Sequence, residues 1–192
     1  MSVLVYYYAT MNAGKSTNLL QTAYNHKESG HKVLYFTSAM DDRYGTGKIT
    51  SRIGINADAE VIPKNDLTVL QNLRKMIEED QSINSIYVDE CQFLSKEQVD
   101  MLSDIVDDYG VKVSCYGIRS DFESNLFEGS ARLFEIADNI FELKNVCACG
   151  EDAKMNARIA SSTDKVFIGG NESYKSMCRK CYKSYMRNRN GS

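Results

Sequence analysis

Short continuous apolar runs alternate with segments of helical spacing through residues 1–146. Val3 to Ala9 is the first run, unbroken in the manner of a strand covered on both faces. Thr17 to Ser29 follows with Leu19, Leu20 and Ala23 on one side and polar residues on the other, and Gly30 stands where a left-handed residue would end a helix. Lys32 to Thr37 is a second β-branched and aromatic run. A strand, helix, strand opening implies parallel pairing through a right-handed crossover. Residues 38–57 carry glycines and charges with little apolar periodicity, which predicts a polar loop, functional or simply solvated.

Past Pro63, the only proline, Leu67, Leu70, Leu73 and Ile77 give helical spacing over Asp66 to Glu79. Ser85 to Glu90 is a strand ending in two acids. Ser95 with Gln98 three residues later forms a capping box for a helix that turns Val99, Leu102, Val106 and Tyr109 inward and stops at Gly110. Val111 to Gly117 reads as another strand, and Leu133 to Leu143 as a short helix with one more strand. The expected architecture is α/β: a doubly wound, parallel phosphate-loop sheet with flanking helices. From Cys147 the texture becomes rich in Ser, Gly, Asn and charge, so the expected division is 1–146 and a small zinc-binding domain over 147–192.

Composition narrows the partners. A chain of 192 residues has room for one domain with a small appendage, and its net charge of −3 supplies no basic field for nucleic acid. No stretch approaches the roughly 18 apolar residues of a membrane span, and the apolar N-terminal run has no charged lead, so a cytoplasmic location without membrane contact is expected. Cys91 and Cys115 lie in or beside strands and are expected to be small core residues, not nucleophiles. Cys147, Cys149, Cys178 and Cys181 form two close pairs. Four thiolates suit a closed tetrahedral Zn²⁺ site, which would be structural because no position is left open.

The candidate chemistry centres on Ala9-Thr10-Met11-Asn12-Ala13-Gly14-Lys15-Ser16, between the first strand and first helix. This is G-x-x-x-x-G-K-S with Ala9 at the opening glycine. In such a loop backbone N–H groups and the helix N-terminus face phosphates, the Lys reaches the β- and γ-phosphates and the Ser hydroxyl serves Mg²⁺. Asp89 and Glu90 form the second nucleotide signature: the Asp for Mg²⁺, the Glu for taking a proton from the attacking oxygen. The pair alone leaves open whether that oxygen belongs to water or to a substrate hydroxyl.

Met11 to Thr17, Val88 to Phe93, Tyr116 to Phe122 and Ile168 to Tyr174, in that order and joined by the two Cys pairs, resemble the thymidine kinases of the phosphate-loop, zinc-containing type, near the bacterial and phage branch. The resemblance covers nearly the whole chain. It implies transfer of the γ-phosphoryl of ATP to the 5′-hydroxyl of thymidine, giving dTMP, in a homotetramer inhibited by dTTP. By position it implies Glu90 as general base, Lys15 on the phosphates, and Ser16 with Asp89 around Mg²⁺. Residues 9–16 with Asp89, Glu90, Cys91 and Gln92 would hold the nucleotide. Met11, Phe93 and Phe122 would wall the thymine, under a lasso-like loop of about residues 157–174 bearing Phe167, Ile168, Gly169, Gly170 and Tyr174. The chain departs from the pattern at Ala9, at the C-x-C spacing of the first pair, and at Cys181, where close bacterial relatives often have His. Asn156 stands near a position that in some relatives contacts the 5-methyl side of thymine, which leaves strictness for thymidine over deoxyuridine open. Arg43 and Arg119 are alternatives for stabilising phosphate charge. A helicase-type ATPase and a zinc-ribbon interaction module share parts of the pattern. The acidic charge balance disfavours the first, and the intact Lys15, Ser16, Asp89 and Glu90 disfavour the second.

Overall fold

A computed structural model of the chain describes residues 2–39, 47–159 and 173–190. The elements are β1 (Val3–Ala9), α1 (Lys15–Glu28), β2 (Lys32–Ser38), β3 (Lys48–Thr50), β4 (Asn56–Asp58), β5 (Glu60–Ile62), α2 (Thr68–Glu79), β6 (Ile83–Asp89), a 3₁₀ turn (Cys91–Phe93), α3 (Lys96–Tyr109), β7 (Lys112–Ile118), α4 (Glu128–Ile136), β8 (Asn139–Leu143), β9 (Met155–Arg158), β10 (Tyr174–Met177) and α5 (Arg179–Asn190). Six strands form one sheet in the order β5-β2-β6-β7-β1-β8, parallel at every pairing. The expected α/β sheet with flanking helices is therefore present.

Strand alternation sorts the apolar side chains into two cores. Leu4, Tyr6, Phe36, Ile86, Val88, Val113 and Cys115 face α2, α3 and α4, packing on Leu70, Leu73, Val99, Leu102 and Leu133. Their neighbours Val33, Tyr87 and Tyr116 face the other way, onto Leu19, Leu20 and Ala23 of α1. On that second face Tyr7 stacks on Tyr116 at 4.5 Å and on Phe141 at 5.3 Å between centroids, a cross-strand aromatic row through β7, β1 and β8.

The loop expected over residues 38–57 contains, among its described residues, the antiparallel hairpin β3-β4, whose Ile49 is buried against α1's cluster. Short polar strands of three residues carry too few positions for a period to show. The helix placed from Leu133 begins at Glu128. Gly129 sits in its first turn against the 3₁₀ turn: a Cβ there would lie 2.3 Å from the Cys91 carbonyl oxygen and 2.9 Å from that of Leu94. Backbone at that range cannot yield as a flexible side chain would. Gly129→Ala is accordingly expected to lower the melting temperature by roughly 5–10 °C through overpacking, read by scanning calorimetry.

After β8 the chain forms a third cluster from Cys147, Ala153, Ala157, Met177, Cys178 and Tyr182, with Tyr185 and Met186 of α5 packed on it. Its sheet is the antiparallel pair β9-β10. No helix among the described residues is long and apolar enough to cross a membrane.

Candidate nucleotide site and cysteine cluster

Residues 9–16 join β1 to α1. Ala9 is still strand, buried and in register with Ile118 and Leu143, and its φ is not positive. The methyl group at the opening position therefore brings no strain. Gly14 differs: its φ of +76° needs a glycine. Asn12, at φ +66°, is also left-handed. The Gly14 carbonyl accepts the Asn18 N–H at 2.9 Å to start α1, whose first turn holds no acidic residue to compete for an anion.

The strand β7 lies between β1 and β6, so the phosphate loop and the acids at the end of β6 are two strand spacings apart. The first turn of α1 closes that gap. Ser16 Oγ donates to Asp89 Oδ2 at 2.7 Å, and the Glu90 N–H donates to Asp89 Oδ1 at 2.9 Å. Burial, and then the Glu90 carboxylate, push the Asp89 carboxyl up to about 6, opposed by Lys15 and by the Ser16 hydroxyl. A hydroxyl and a carboxylate placed together in this way are the oxygen donors a hard divalent cation takes from a protein when water and phosphate complete its shell.

Glu90 follows with φ +53° and ψ +35°. A left-handed conformation is uncommon for a glutamate and persists only where neighbours enforce it. Gln92 is such a neighbour. Buried beside the turn, it donates from Nε2 to Glu90 Oε2 at 2.5 Å and accepts the Ile118 N–H on Oε1 at 3.1 Å. Its side chain thus spans from β7 to the acid. The Cys91 thiol is fully buried and packs beside Gly117, so only its backbone borders the site. Burial raises the Cys91 thiol well above its ordinary value and pushes Cys115 up to about 12.

Of the aromatic candidates, Phe93 meets Phe127 edge to face at 5.6 Å. Phe122 lies under the Arg158 guanidinium at 3.8 Å, and Arg158 Nη2 donates to the Tyr174 hydroxyl at 2.9 Å. Phe122 and Tyr174 are therefore brought together by a buried arginine. Met11 is held at its backbone by Asn145, Asn156 and Ser176. The Asn156 amide is occupied between the Met11 N–H and the Ser120 carbonyl. Arg119 donates to the Lys154 carbonyl at 3.0 Å. Arg43, Phe167, Ile168, Gly169 and Gly170 lie outside the described residues.

The four C-terminal cysteines converge. Their sulfurs all lie within 4.8 Å of one another. Cys149 and Cys178 are 3.6 Å apart, far beyond a disulfide's roughly 2.05 Å and close to the edge of about 3.8 Å that four Zn–S bonds of about 2.3 Å would set. The Cys181 N–H points at Cys178 Sγ at 3.4 Å, and Gly150 at φ +92° closes the turn after the first pair. Backbone N–H groups of Cys149 and Cys178 hold the Cys147 thiol down to about 6. The donor set fits a tetrahedral soft-ligand site and could hold zinc.

A family model described as thymidine kinase matches residues 2–182. The chain belongs to the thymidine kinase family. It is 47% identical over 195 residues to a curated thymidine kinase of Shewanella oneidensis, covering 97% of this chain and 99% of that one. A curated thymidine kinase of Photobacterium profundum is 47% identical over 189 residues, covering 95% and 97%; that of Haemophilus influenzae is 44% identical over the same length and coverage. Against the crystal structure of Pif1 helicase from Candida albicans the TM-score is 0.45 at 13% identity, covering 75% of this chain and 36% of that one, too slight a likeness to argue from. In this thymidine kinase family member the residues that sequence reasoning missed are Arg158, Asn145 and Ser176. Each acts through a contact distant along the chain, and no local spacing announces such a contact.

Proposed function

We propose that the chain transfers the γ-phosphoryl of ATP to the 5′-hydroxyl of thymidine, yielding dTMP and ADP. The observation that carries this reading is the assembly of Ser16, Asp89 and Glu90 beside a phosphate loop in a member of the thymidine kinase family. Lys15 and the loop's N–H groups bind and orient the triphosphate. Ser16 and Asp89 are the residues that would hold Mg²⁺, which when bound neutralises phosphate charge. Glu90, aimed by Gln92, accepts the proton of the 5′-hydroxyl as its oxygen attacks the γ-phosphorus and the bond to the ADP oxygen breaks. In this reading Gln92 orients the Glu90 carboxylate and helps position the nucleotide. Met11, Phe93 and Phe122 wall the thymine, Tyr174 stands beside them, and Phe167 to Gly170 contribute backbone groups to its edge. We assign residues 147–192 as a separate zinc-stapled domain, and family membership supports a cytoplasmic homotetramer with feedback inhibition by dTTP.

Transfer of label from γ-labelled ATP across the common nucleosides tests the reading. Thymidine should be the preferred acceptor, with deoxyuridine the competitor to quantify. Release of labelled phosphate at the same rate with and without any nucleoside would refute it.

The cysteine cluster gives a second expectation. Purified protein should carry about one Zn²⁺ per chain. Chelation, or Cys178→Ser, should destabilise residues 147–159 and 173–190, seen as lost amide-exchange protection there, and raise the KM for thymidine. Full protection in metal-free protein would remove the staple.

A further inference from the structure

The phosphate loop is held from outside by three side chains, all fixed on the Met11 peptide groups. Met11 N–H donates to Asn156 Oδ1 at 2.9 Å. Its carbonyl accepts from Asn145 Nδ2 at 2.9 Å and from Ser176 Oγ at 2.6 Å. One donor and both acceptor positions of a single residue's backbone are thus taken. We propose that Asn145, Asn156 and Ser176 are positioning residues that keep the phosphate loop in its triphosphate-binding shape; the proposal rests on the nucleotide reading above.

Three features support it. The contacts span 134, 145 and 165 residues of sequence, so none is a by-product of the loop's own turn. Each asparagine is itself tethered: Asn145 Oδ1 accepts the Val146 N–H at 2.8 Å and its Nδ2 also reaches Thr10 Oγ1 at 3.2 Å, while Asn156 Nδ2 donates to the Ser120 carbonyl at 3.3 Å. Tethering sets the amide orientations, because a reversed Asn156 would point its NH₂ at the Met11 N–H. Finally, the next residue, Asn12, is left-handed at φ +66°, as is Gly14 at +76°. A short loop with two such residues keeps one shape only if its surroundings over-determine it, and anion binding by backbone N–H groups depends on that shape being present beforehand.

The test is equilibrium binding of a non-hydrolysable Mg·ATP analogue to the full chain by calorimetry, without thymidine, alongside thymidine affinity and melting temperature. Asn156→Ala should weaken the analogue about tenfold, since it leaves the Met11 N–H of a strained loop unpaired, and Ser176→Ala should weaken it severalfold, since the Met11 carbonyl then keeps only its bond from Asn145. Thymidine affinity should fall less than analogue affinity in Ser176→Ala, because these contacts hold only Met11 among the proposed thymine walls; Asn156→Ala, which also alters the 5-methyl side, is judged on the analogue alone. Ser176→Thr, which keeps the hydroxyl, should stay within about threefold of wild type for both ligands. In steady state the loss should fall on the KM for ATP, with kcat at saturating ATP largely kept. If Asn156→Ala melts below the working temperature, half-buried Asn145 replaced by Ala serves in its place. Unchanged analogue affinity in folded alanine variants overturns the proposal. So does loss of both ligands in proportion to a falling melting temperature, which would mean the contacts merely hold the C-terminal segment. Wild-type protein that binds no analogue at all would instead sink the nucleotide reading beneath it.

Discussion

Glu90→Gln is expected to lower thymidine phosphorylation by about 10²–10⁴-fold, the usual contribution of a general base, while ATP and thymidine still bind. The substitution keeps the shape of the side chain, and the introduced amide can turn its oxygen to the Gln92 Nε2 that now donates to Glu90. What it removes is the proton acceptor. The comparison to make is ADP release against dTMP formation in wild type and variant. A kinase releases ADP in step with dTMP and hardly at all without nucleoside. Wild-type hydrolysis that ignores thymidine and responds to single-stranded DNA would point instead to a motor ATPase, and retention of wild-type transfer by Glu90→Gln would move the base elsewhere.

Lys15→Ala should cost about 10²–10³-fold in turnover, comparable with loss of one preorganised charge-stabilising donor at a reacting centre. Lys15 is 9% exposed at the first turn of α1 and lies outside the two sheet cores, so the fold should survive. Melting temperature and far-ultraviolet circular dichroism check that the loss is chemical. The same substitution removes a cation whose field opposes the upward shift of Asp89. Asp89 should therefore take up its proton at higher pH in the variant than in the wild-type protein. Near-normal activity in Lys15→Ala would sink the assignment of the phosphate loop.

The parts of the fold legible in advance were those whose signal is local. Ser95 and Gln98 make both bonds of their capping box, at 3.2 and 2.9 Å, because that geometry depends only on a three-residue offset. The buried strands were legible because a parallel sheet covered on both faces leaves uninterrupted apolar runs. The C-terminal segment hid its order. In α5 the inward residues are Cys181, Tyr182, Tyr185 and Met186 among many arginines and lysines, so the apolar stripe is built from residue types that read as metal ligand or surface. At the site, Lys15, Ser16, Asp89 and Glu90 were legible by motif. The conformation of Glu90 and the bridge from Gln92 to Ile118 were not, since both depend on β7 lying alongside.

That strand order also bears on how the protein comes off the ribosome. β1 is made well before its sheet partners, which are β7, at Lys112–Ile118, and β8, at Asn139–Leu143. At roughly 5–20 residues per second the chain waits some 5–20 seconds before β1 can pair. Throughout that interval an apolar strand with three consecutive tyrosines, Tyr6, Tyr7 and Tyr8, has no native strand partner and is a natural target for a nascent-chain chaperone. Late closure of the sheet would make the phosphate loop one of the last parts of the enzyme to exist, so a polypeptide arrested before β7 could neither bind nor sequester the nucleotide.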